Sequence, residues 1–276
     1  MIQKADEIED VQAQPDQRGL KIEQVGISEV KLPMVVQDRE RGRQQVTATI
    51  RISASLSPTE RGTHMSRFVE LLDRFKSRPL NPELLEVLLE AVVDRLGADR
   101  SHLDVSFLYF RTKRSPLTKE PALMGYACHL GGDCERDGGS SHRKFRKIVE
   151  VEVPILTLCP CSKAISEFGA HSQRTSVKTA VEMAESIWIE EMIDLVETEG
   201  SCQIYPLLKR PDEKYVTEAS YRNPKFVEDV VRDIALKFES DARVASYRIE
   251  CESLESIHSH NAYAIITSGS FPSSWR

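Results

Sequence analysis

Residues 156–174 read Leu-Thr-Leu-Cys-Pro-Cys-Ser-Lys-Ala-Ile-Ser-Glu-Phe-Gly-Ala-His-Ser-Gln-Arg. The apolar residues from position 151 onward predict a strand, which ends where Pro160 removes a backbone donor between Cys159 and Cys161. A loop that contains Gly169 then leads to His171. Two thiols and an imidazole at a strand end are typical of a metal site or a nucleophilic site. The alternative is that both thiols are small buried hydrophobic residues.

Strand and helix patterns extend from this stretch in both directions. Apolar and alternating runs predict eight strands, over residues 25–36, 45–56, 102–111, 122–130, 147–158, 175–183, 244–251 and 261–267. Apolar residues at helical spacing predict four helices, over residues 66–75, 81–96, 188–197 and 223–238. Asn81 and Pro82 open the second helix as an N-cap followed by a proline at the first helical position. Each half of the chain therefore has the order ββααββ.

This repeated order predicts an α+β fold of two similar modules, with antiparallel sheets and the helices on one face. We expect residues 1–20 to form a flexible N-terminal tail, residues 21–143 the first module and residues 144–276 the second module. The second module carries most of the candidate site. A Gly-rich stretch over residues 131–143 separates the halves. Open antiparallel sheets leave exposed edges, so we also expect an oligomer.

Composition narrows the class of protein. The chain has 276 residues, 40% of them apolar, and a net charge of −6. This acidic balance does not provide the broad basic surface that nucleic-acid binding requires. The N-terminus has no apolar signal region and no run has the length of a membrane span, so we expect a cytoplasmic protein without a membrane partner. In that reducing setting the six cysteines are free to act as ligands, nucleophiles or core residues.

Polar residues outside the central stretch could complete a metal site. His258 and His260 are two positions apart, so in a strand they would face the same way. One could bind a metal ion while the other supports it or binds substrate. Glu213, in a charged run, is a candidate carboxylate ligand. The ordinary interpretation of all three is that they are solvated surface residues.

Other residues could bind a nucleotide. Glu228 lies early in a predicted helix, and a carboxylate can accept two hydrogen bonds from the adjacent donors of a guanine edge. The loop over residues 61–67 places basic residues at a helix N-terminus, which favours an anion. Lys163 and Arg174 could add positive charge. Glu228 could instead be a solvated helix residue, and Thr63 could simply cap the helix.

The chain resembles the type IB GTP cyclohydrolase I family in six motifs that cover nearly all of its length after about residue 10. The motifs are Arg-Gly-Thr-His-Met-Ser-Arg at 61–67, Leu-Cys-Pro-Cys-Ser-Lys at 158–163, Gly-Ala-His-Ser-Gln-Arg at 169–174, Asp-Glu-Lys-Tyr-Val-Thr-Glu at 212–218, Asn-Pro-Lys-Phe-Val-Glu-Asp at 223–229 and Ile-His-Ser-His-Asn at 257–261. Several motifs in the same order are far more specific than any one of them.

The resemblance implies a tunnelling fold of two ββααββ modules, assembled into a homotetramer with sites at subunit interfaces. It implies conversion of GTP and water to 7,8-dihydroneopterin triphosphate and formate, the first step of tetrahydrofolate biosynthesis. A divalent metal, zinc or alternatively manganese or iron, would be held by four ligands: Cys159, His171, Glu213 and His258. Glu228 would anchor the purine. Placement and charge suggest five triphosphate contacts, Arg61, His64, Arg67, Lys163 and Arg174, and His260 or His64 as the proton donor.

Three alternatives stay open at this point. A nitrile reductase of queuosine synthesis has the motif Glu-Ser-Lys-Ser-Leu-Lys, but residues 252–256 read Glu-Ser-Leu-Glu-Ser, without its lysines. An archaeal branch of the same cyclohydrolase group makes a cyclic phosphate product. A protein that binds a purine or zinc without catalysis would hold its metal in a closed site, whereas a catalytic site keeps a position open to water.

Overall fold

A computed structural model describes residues 10–136, 142–272 and 275 of the chain. Its strands are β1 (Ile22–Asp38), β2 (Gly42–Leu56), β3 (Pro79–Leu80), β4 (Arg100–Arg114), β5 (Pro121–Arg136), β6 (Arg143–Leu158), β7 (Ser172–Met183), β8 (Cys202–Gln203), β9 (Val244–Ser253) and β10 (Ala262–Thr267). Its helices are α1 (Met65–Phe75), α2 (Pro82–Leu96), α3 (Pro160–Ile165), α4 (Ile189–Thr198), α5 (Arg210–Arg222) and α6 (Val227–Glu239).

The strands form one sheet with the order β10-β9-β7-β6-β5-β4-β2-β1-β3, and β8 pairs with β6. The expectation of a tunnelling fold made of two ββααββ modules is therefore wrong. Strand β6, predicted to begin the second module, lies beside β5 of the first. At Gly132 a Cβ atom would lie 1.9 Å from the carbonyl oxygen of Arg146, so only glycine permits this close approach.

The second half also departs from the predicted order because it contains two additional helices. Helix α3 separates β6 from β7, since Cys159 caps it and Pro160 occupies its first turn. Helix α5 forms in a charged segment, with Pro211 in its first turn and Asp212 in a capping box. Helix α6 begins at Val227, three residues after Pro224. The predicted helices over 66–75, 81–96 and 188–197 are confirmed as α1, α2 and α4.

The first compact unit comprises residues 1–106 and 130–147. Residues 1–9, part of the predicted flexible tail, and residues 137–141, part of the predicted Gly-rich separator, lie outside the described residues. Helices α1 and α2 pack together, and their inward faces are fully apolar. Asn81 accepts a hydrogen bond from the Leu84 N–H at 2.8 Å, and Gly97 ends α2 with a positive φ of 66°. The buried helix residues are Phe68, Leu71, Leu72, Phe75, Leu84, Leu85, Leu88, Leu89, Val92 and Val93.

The second compact unit comprises residues 107–129 and 148–276. Strand β7 pairs antiparallel with β6 and with β9, and β9 pairs with β10. Helix α6 packs on β9 and β10 through a stripe that includes Val230, Ile234 and Phe238. No helix in the described ranges is long and apolar enough to cross a membrane. The predicted module boundary at residue 143 stays a prediction.

Candidate active site at the end of strand β6

The end of β6 and the start of β7 are joined around Cys159. The Cys159 N–H donates to the His171 carbonyl oxygen at 3.1 Å, which brings the two residues together across α3. The Cys159 thiol accepts a hydrogen bond from the Ser162 N–H at 3.4 Å, and Ser162 Oγ donates to the Cys159 carbonyl oxygen at 3.1 Å. Cys159 is half-buried, whereas Cys161 is exposed. Only the first thiol is therefore built into this junction.

The imidazole of His171 lies beside two acceptor side chains. Its Nδ1 is 2.9 Å from Oε1 of Gln173 and 3.8 Å from Oε2 of Glu255. Gln173 and Glu255 are themselves in contact, with Nε2 of the amide 3.4 Å from Oε1 of the carboxylate. Both acceptors are on the Nδ1 side of the ring, so Nε2 is the nitrogen that points away from them.

His258 and His260 lie on the β9–β10 loop, close to His171. The rings of His171 and His258 meet edge to face with centroids 6.4 Å apart. The rings of His258 and His260 are stacked, with centroids 5.1 Å apart and planes 10° from parallel. Both loop histidines are exposed. The structure thus places Cys159 near the two predicted histidine ligands, His171 and His258, and near the predicted proton donor His260.

The predicted carboxylates Glu213 and Glu228 occupy first turns of helices α5 and α6. Both are exposed, and within the described residues neither carboxylate has a hydrogen bond or an ion pair. Glu228 lies near Cys251, whose thiol pKa is raised to about 12, chiefly by burial and further by the Glu228 charge. No contact in the described residues joins Glu213 to Cys159 or the histidines.

Two basic residues flank this junction. Lys163, on α3, donates to the Tyr221 carbonyl oxygen and lies over the Tyr221 ring, with Nζ 4.6 Å from its centroid. The Arg174 carbonyl oxygen accepts from the Leu254 N–H at 3.0 Å, while its side chain is exposed. The Arg174 guanidinium is therefore available to an anion.

The loop with Arg61 and His64, and Arg67 in the first turn of α1, belong to the first compact unit. Arg61 donates to the side chain of Gln14, and His64 Nε2 is 3.5 Å from Oδ2 of Asp10. His64 and Arg67 line a cavity of about 350 Å³ in this unit. Residues 10–16, predicted as part of a flexible tail, hydrogen-bond to this loop, including Gln12 Nε2 to the Thr63 carbonyl oxygen at 2.9 Å.

The chemistry of the predicted metal ligands is suitable for zinc, because one thiol, two imidazoles and one carboxylate are ligands that zinc accepts. His171 also has an acceptor on one ring nitrogen, the arrangement usual for ligating histidines. In the described residues, however, no group of three or more His, Cys, Asp or Glu side chains is close enough to hold a metal ion. The contacts of Cys159, His171 and His258 in the described residues do not include Glu213.

Three polar residues at or near the site were not predicted from the sequence. Gln173, on β7, follows His171 by two positions, and this spacing could have revealed it. Glu255 precedes His258 by three residues in a loop, where no periodicity applies. Asp212 is the buried neighbour of Glu213 and was hidden in a charged run.

Comparison with solved structures identifies the class of fold. A uricase from Bacillus fastidious superposes with a TM-score of 0.56 at 6% identity, covering 92% of this chain and 94% of that one. The urate oxidase from Bacillus subtilis 168 gives a TM-score of 0.53 at 8% identity, covering 89% and 98%. At such low identity the likeness extends to the fold alone. The chain therefore has a urate oxidase-like fold, as opposed to the expected two-module arrangement.

Comparison with protein families and with individual relatives identifies the family of the chain. The model of the family described as type I GTP cyclohydrolase FolE2 matches residues 8–264. The chain is 48% identical to the GTP cyclohydrolase FolE2 of Nitrosococcus oceani, over 94% of each chain. It is 45% identical to that of Magnetococcus marinus, over 95% of this chain and 96% of the relative. The protein belongs to the type I GTP cyclohydrolase FolE2 family, which confirms the family resemblance.

Proposed function

We infer that the protein is a GTP cyclohydrolase, which converts GTP and water to 7,8-dihydroneopterin triphosphate and formate at the start of tetrahydrofolate biosynthesis. The observation that carries this conclusion is identity of 42–48% to GTP cyclohydrolases FolE2 over nearly the full length of both chains. The reaction opens the imidazole ring of guanine and releases C8 as formate. It needs a water nucleophile, a hold on the purine, a hold on the triphosphate and proton transfer.

Four residues form the proposed metal site: Cys159, His171, Glu213 and His258. These residues would hold a divalent ion, zinc or alternatively manganese or iron, and the chemistry that such an ion would supply is a bound water of lowered pKa. Support for this set comes from the backbone hydrogen bond between Cys159 and His171, from the neighbouring His258 ring and from the exposed Glu213 carboxylate, which has no partner among the residues that the structure describes. His171 and His258 would contribute imidazole nitrogens to this ligand set.

Glu228 is the proposed purine anchor. Its carboxylate is exposed and without a partner in the described residues, so both oxygens can accept from the guanine ring N–H and exocyclic amine. Glu228 lies in the first turn of α6, where the helix dipole favours a negatively charged side chain. This pair of hydrogen bonds would select guanine over adenine, which lacks the ring donor.

The triphosphate would be bound by basic residues. Lys163 and Arg174 flank Cys159 and His171, and the Arg174 guanidinium is exposed. Arg61, His64 and Arg67 are the further proposed contacts, supported by their positions at or next to the N-terminus of α1. His260, stacked on His258, or His64 would donate a proton to the purine nitrogen as the ring opens.

We also propose that the protein is a homotetramer and that it is cytoplasmic. A homotetramer with sites at subunit interfaces would add residues that one chain does not gather, and the apolar residues exposed on β10 support an assembly. All six cysteines are free thiols, which agrees with a reducing, cytoplasmic setting.

One assay tests the activity directly. Purified, reduced protein is depleted of metal with a chelator and incubated with GTP plus zinc, manganese or iron. Formate release and pterin fluorescence after oxidation are then followed. Turnover is expected with at least one metal and none in the chelated sample. Absence of turnover with every metal would refute the cyclohydrolase assignment.

A cysteine pair tests the proposed ligand set. Cys159→Ala should reduce turnover by at least about 1000-fold, because it removes a ligand from the site that generates the nucleophile. Cys161→Ala is the matched control, because Cys161 is exposed and only two positions away. It should retain near wild-type turnover. Equal activity of both variants would remove Cys159 from the site.

A further inference from the structure

We propose that Gln173 and Glu255 are positioning residues that fix the tautomer of His171 and hold the loop carrying His258 against it. This inference rests on the proposed metal site, because it concerns how two of its ligands are oriented before metal arrives. Neither Gln173 nor Glu255 is proposed to contact substrate, because both act through His171 and His258.

The orientation of the Gln173 amide determines what His171 can do. Gln173 is buried, and its Nε2 faces two oxygens, Oε1 of Glu255 at 3.4 Å and Oγ1 of Thr157 at 3.4 Å. An amide rotated by 180° would place its oxygen against the Glu255 carboxylate. The amide nitrogen is therefore held towards Glu255, and the amide oxygen is directed at Nδ1 of His171 at 2.9 Å.

This acceptor assigns the proton on the imidazole. With a carbonyl-type oxygen at 2.9 Å and a carboxylate oxygen at 3.8 Å, Nδ1 of His171 carries the hydrogen. The lone pair then lies on Nε2, the nitrogen a metal would bind. Without the acceptor, an imidazole divides its population between two tautomers and rotates more freely. Such support from a neighbouring acceptor is usual for ligating histidines.

Glu255 also connects two separate parts of the chain. It lies in the β9–β10 loop three residues before His258, and its side chain is only 11% exposed although the loop histidines are exposed. The Leu254 N–H donates to the Arg174 carbonyl oxygen at 3.0 Å, so the first residue of the loop is attached to β7 next to Gln173. The bond from Gln173 to Glu255 extends that attachment, and it places the His258 ring 6.4 Å from that of His171.

Three variants test the pair. Gln173→Leu removes the acceptor at nearly constant volume, and Glu255→Leu removes the contact to the loop. Glu255→Gln keeps an oxygen for the Gln173 amide and serves as the conservative variant. Glu250→Gln is the matched control, since Glu250 lies on β9, the strand that leads into the loop with Glu255, and pairs with Arg248 at 2.7 Å.

Two measurements on the metal-free protein are needed. The tautomer of His171 is determined from its ¹⁵N imidazole shifts, assigned with His171→Gln. Metal affinity is determined by competition of zinc against a chromophoric chelator, with thermal unfolding of the same samples as a check on folding. We expect wild type and Glu250→Gln to show His171 with the proton on Nδ1.

Gln173→Leu should give mixed tautomers and about 10- to 100-fold weaker zinc binding at a nearly unchanged unfolding temperature. Glu255→Leu should weaken zinc binding over the same range, and Glu255→Gln should restore most of it. A folded Gln173→Leu protein with wild-type tautomer and affinity would overturn the inference. Should Gln173→Leu fail to fold, the same outcome in Glu255→Leu would decide against it.

The test separates this inference from the proposed site. If Cys159→Ala and His258→Ala leave zinc affinity unchanged, the metal site is wrong, and the tautomer result still decides whether Gln173 orients His171. If those variants lose zinc while Gln173→Leu and Glu255→Leu keep it, the site stands and only the positioning role fails.

Discussion

At the scale of single residues, Glu228 is the most direct test of substrate selection. Glu228→Gln keeps the shape but replaces one acceptor oxygen with a donor amide, which faces a guanine donor. Loss of a charge-assisted hydrogen bond and addition of a donor clash should cost about 3 kcal/mol, or roughly 100-fold in kcat/KM for GTP. Steady-state kinetics of formate release measure this change.

Glu83→Gln provides the control, because Glu83 is likewise a first-turn helix glutamate but lies in α2 of the other compact unit. It should leave kcat/KM within about two-fold of wild type. An unchanged kcat/KM in Glu228→Gln would remove Glu228 as the purine anchor and reassign it as a solvated helix residue.

Residues of the candidate site could be predicted from the sequence where they lie close together in the chain. Cys159 and His171 lie in one short stretch, and the i, i+2 spacing pointed to the grouping of His258 and His260. The supporting residues Gln173 and Glu255 come from different elements. Their roles depend on how the β9–β10 loop meets β7, and no local periodicity encodes that contact.

At the scale of elements, helix α5 depends on Asp212. This carboxylate is fully buried and accepts from the N–H groups of Leu117, Thr118 and Lys209 at 2.8, 2.9 and 3.0 Å. Burial opposes ionisation, but the hydrogen bonds, first of all from the Thr118 hydroxyl, hold the pKa of Asp212 well below its usual range. One residue thus joins the β4–β5 turn to the N-terminus of the helix that carries Glu213.

Asp212→Asn should destabilise the protein, because the amide presents N–H groups where only acceptors fit. A lowered folded-state pKa means that the ionised carboxylate contributes stability above the unfolded value of about 3.9, and that this contribution is lost as pH falls towards the folded pKa. The difference in unfolding temperature between wild type and Asp212→Asn should be constant from about pH 7 to pH 5. It should shrink below about pH 4.

Hydrogen exchange locates the effect, because Asp212→Asn should accelerate exchange at the Leu117 and Thr118 amides. Asp229→Asn is the matched control, since Asp229 occupies the same capping position in α6 and accepts from the Phe226 N–H at 2.9 Å. It should cost less stability and leave the β4–β5 turn protected. Equal, pH-independent losses in both variants would contradict the role of Asp212.

Elements with a strong periodic pattern were predictable, and their partners were not. The stripes of α1, α2 and α4 identified these helices, whereas α5 has a largely polar sequence and is revealed only by Pro211 and its capping box. Alternation in β5 and β6 identified two strands without showing that they would pair. The choice of partner depends on close approach at Gly132, which is why one sheet replaced the expected two modules.

At the scale of the whole molecule, β10 ends the sheet and pairs only with β9 among the described strands. One face of β10 packs towards α6, while Tyr263 and Ile265 on the other face are 72% and 46% exposed. An edge strand with exposed apolar side chains is prone to pair with another chain. This edge is therefore our candidate for the contact that builds the proposed homotetramer.

Sedimentation equilibrium tests this assembly. Wild type should have a mass about four times the 31.2 kDa of one chain. Ile265→Asp should weaken association roughly 100-fold and shift the mass towards smaller species, because the contact would bury an unpaired charge. Val69→Asp is the control, since Val69 is 53% exposed on α1, far from β10 in the chain.

Turnover should fall in parallel with tetramer loss if subunits share the site. A tetrameric Ile265→Asp protein would show that β10 is not the contact, and a monomeric, fully active wild type would show that one chain completes the site alone.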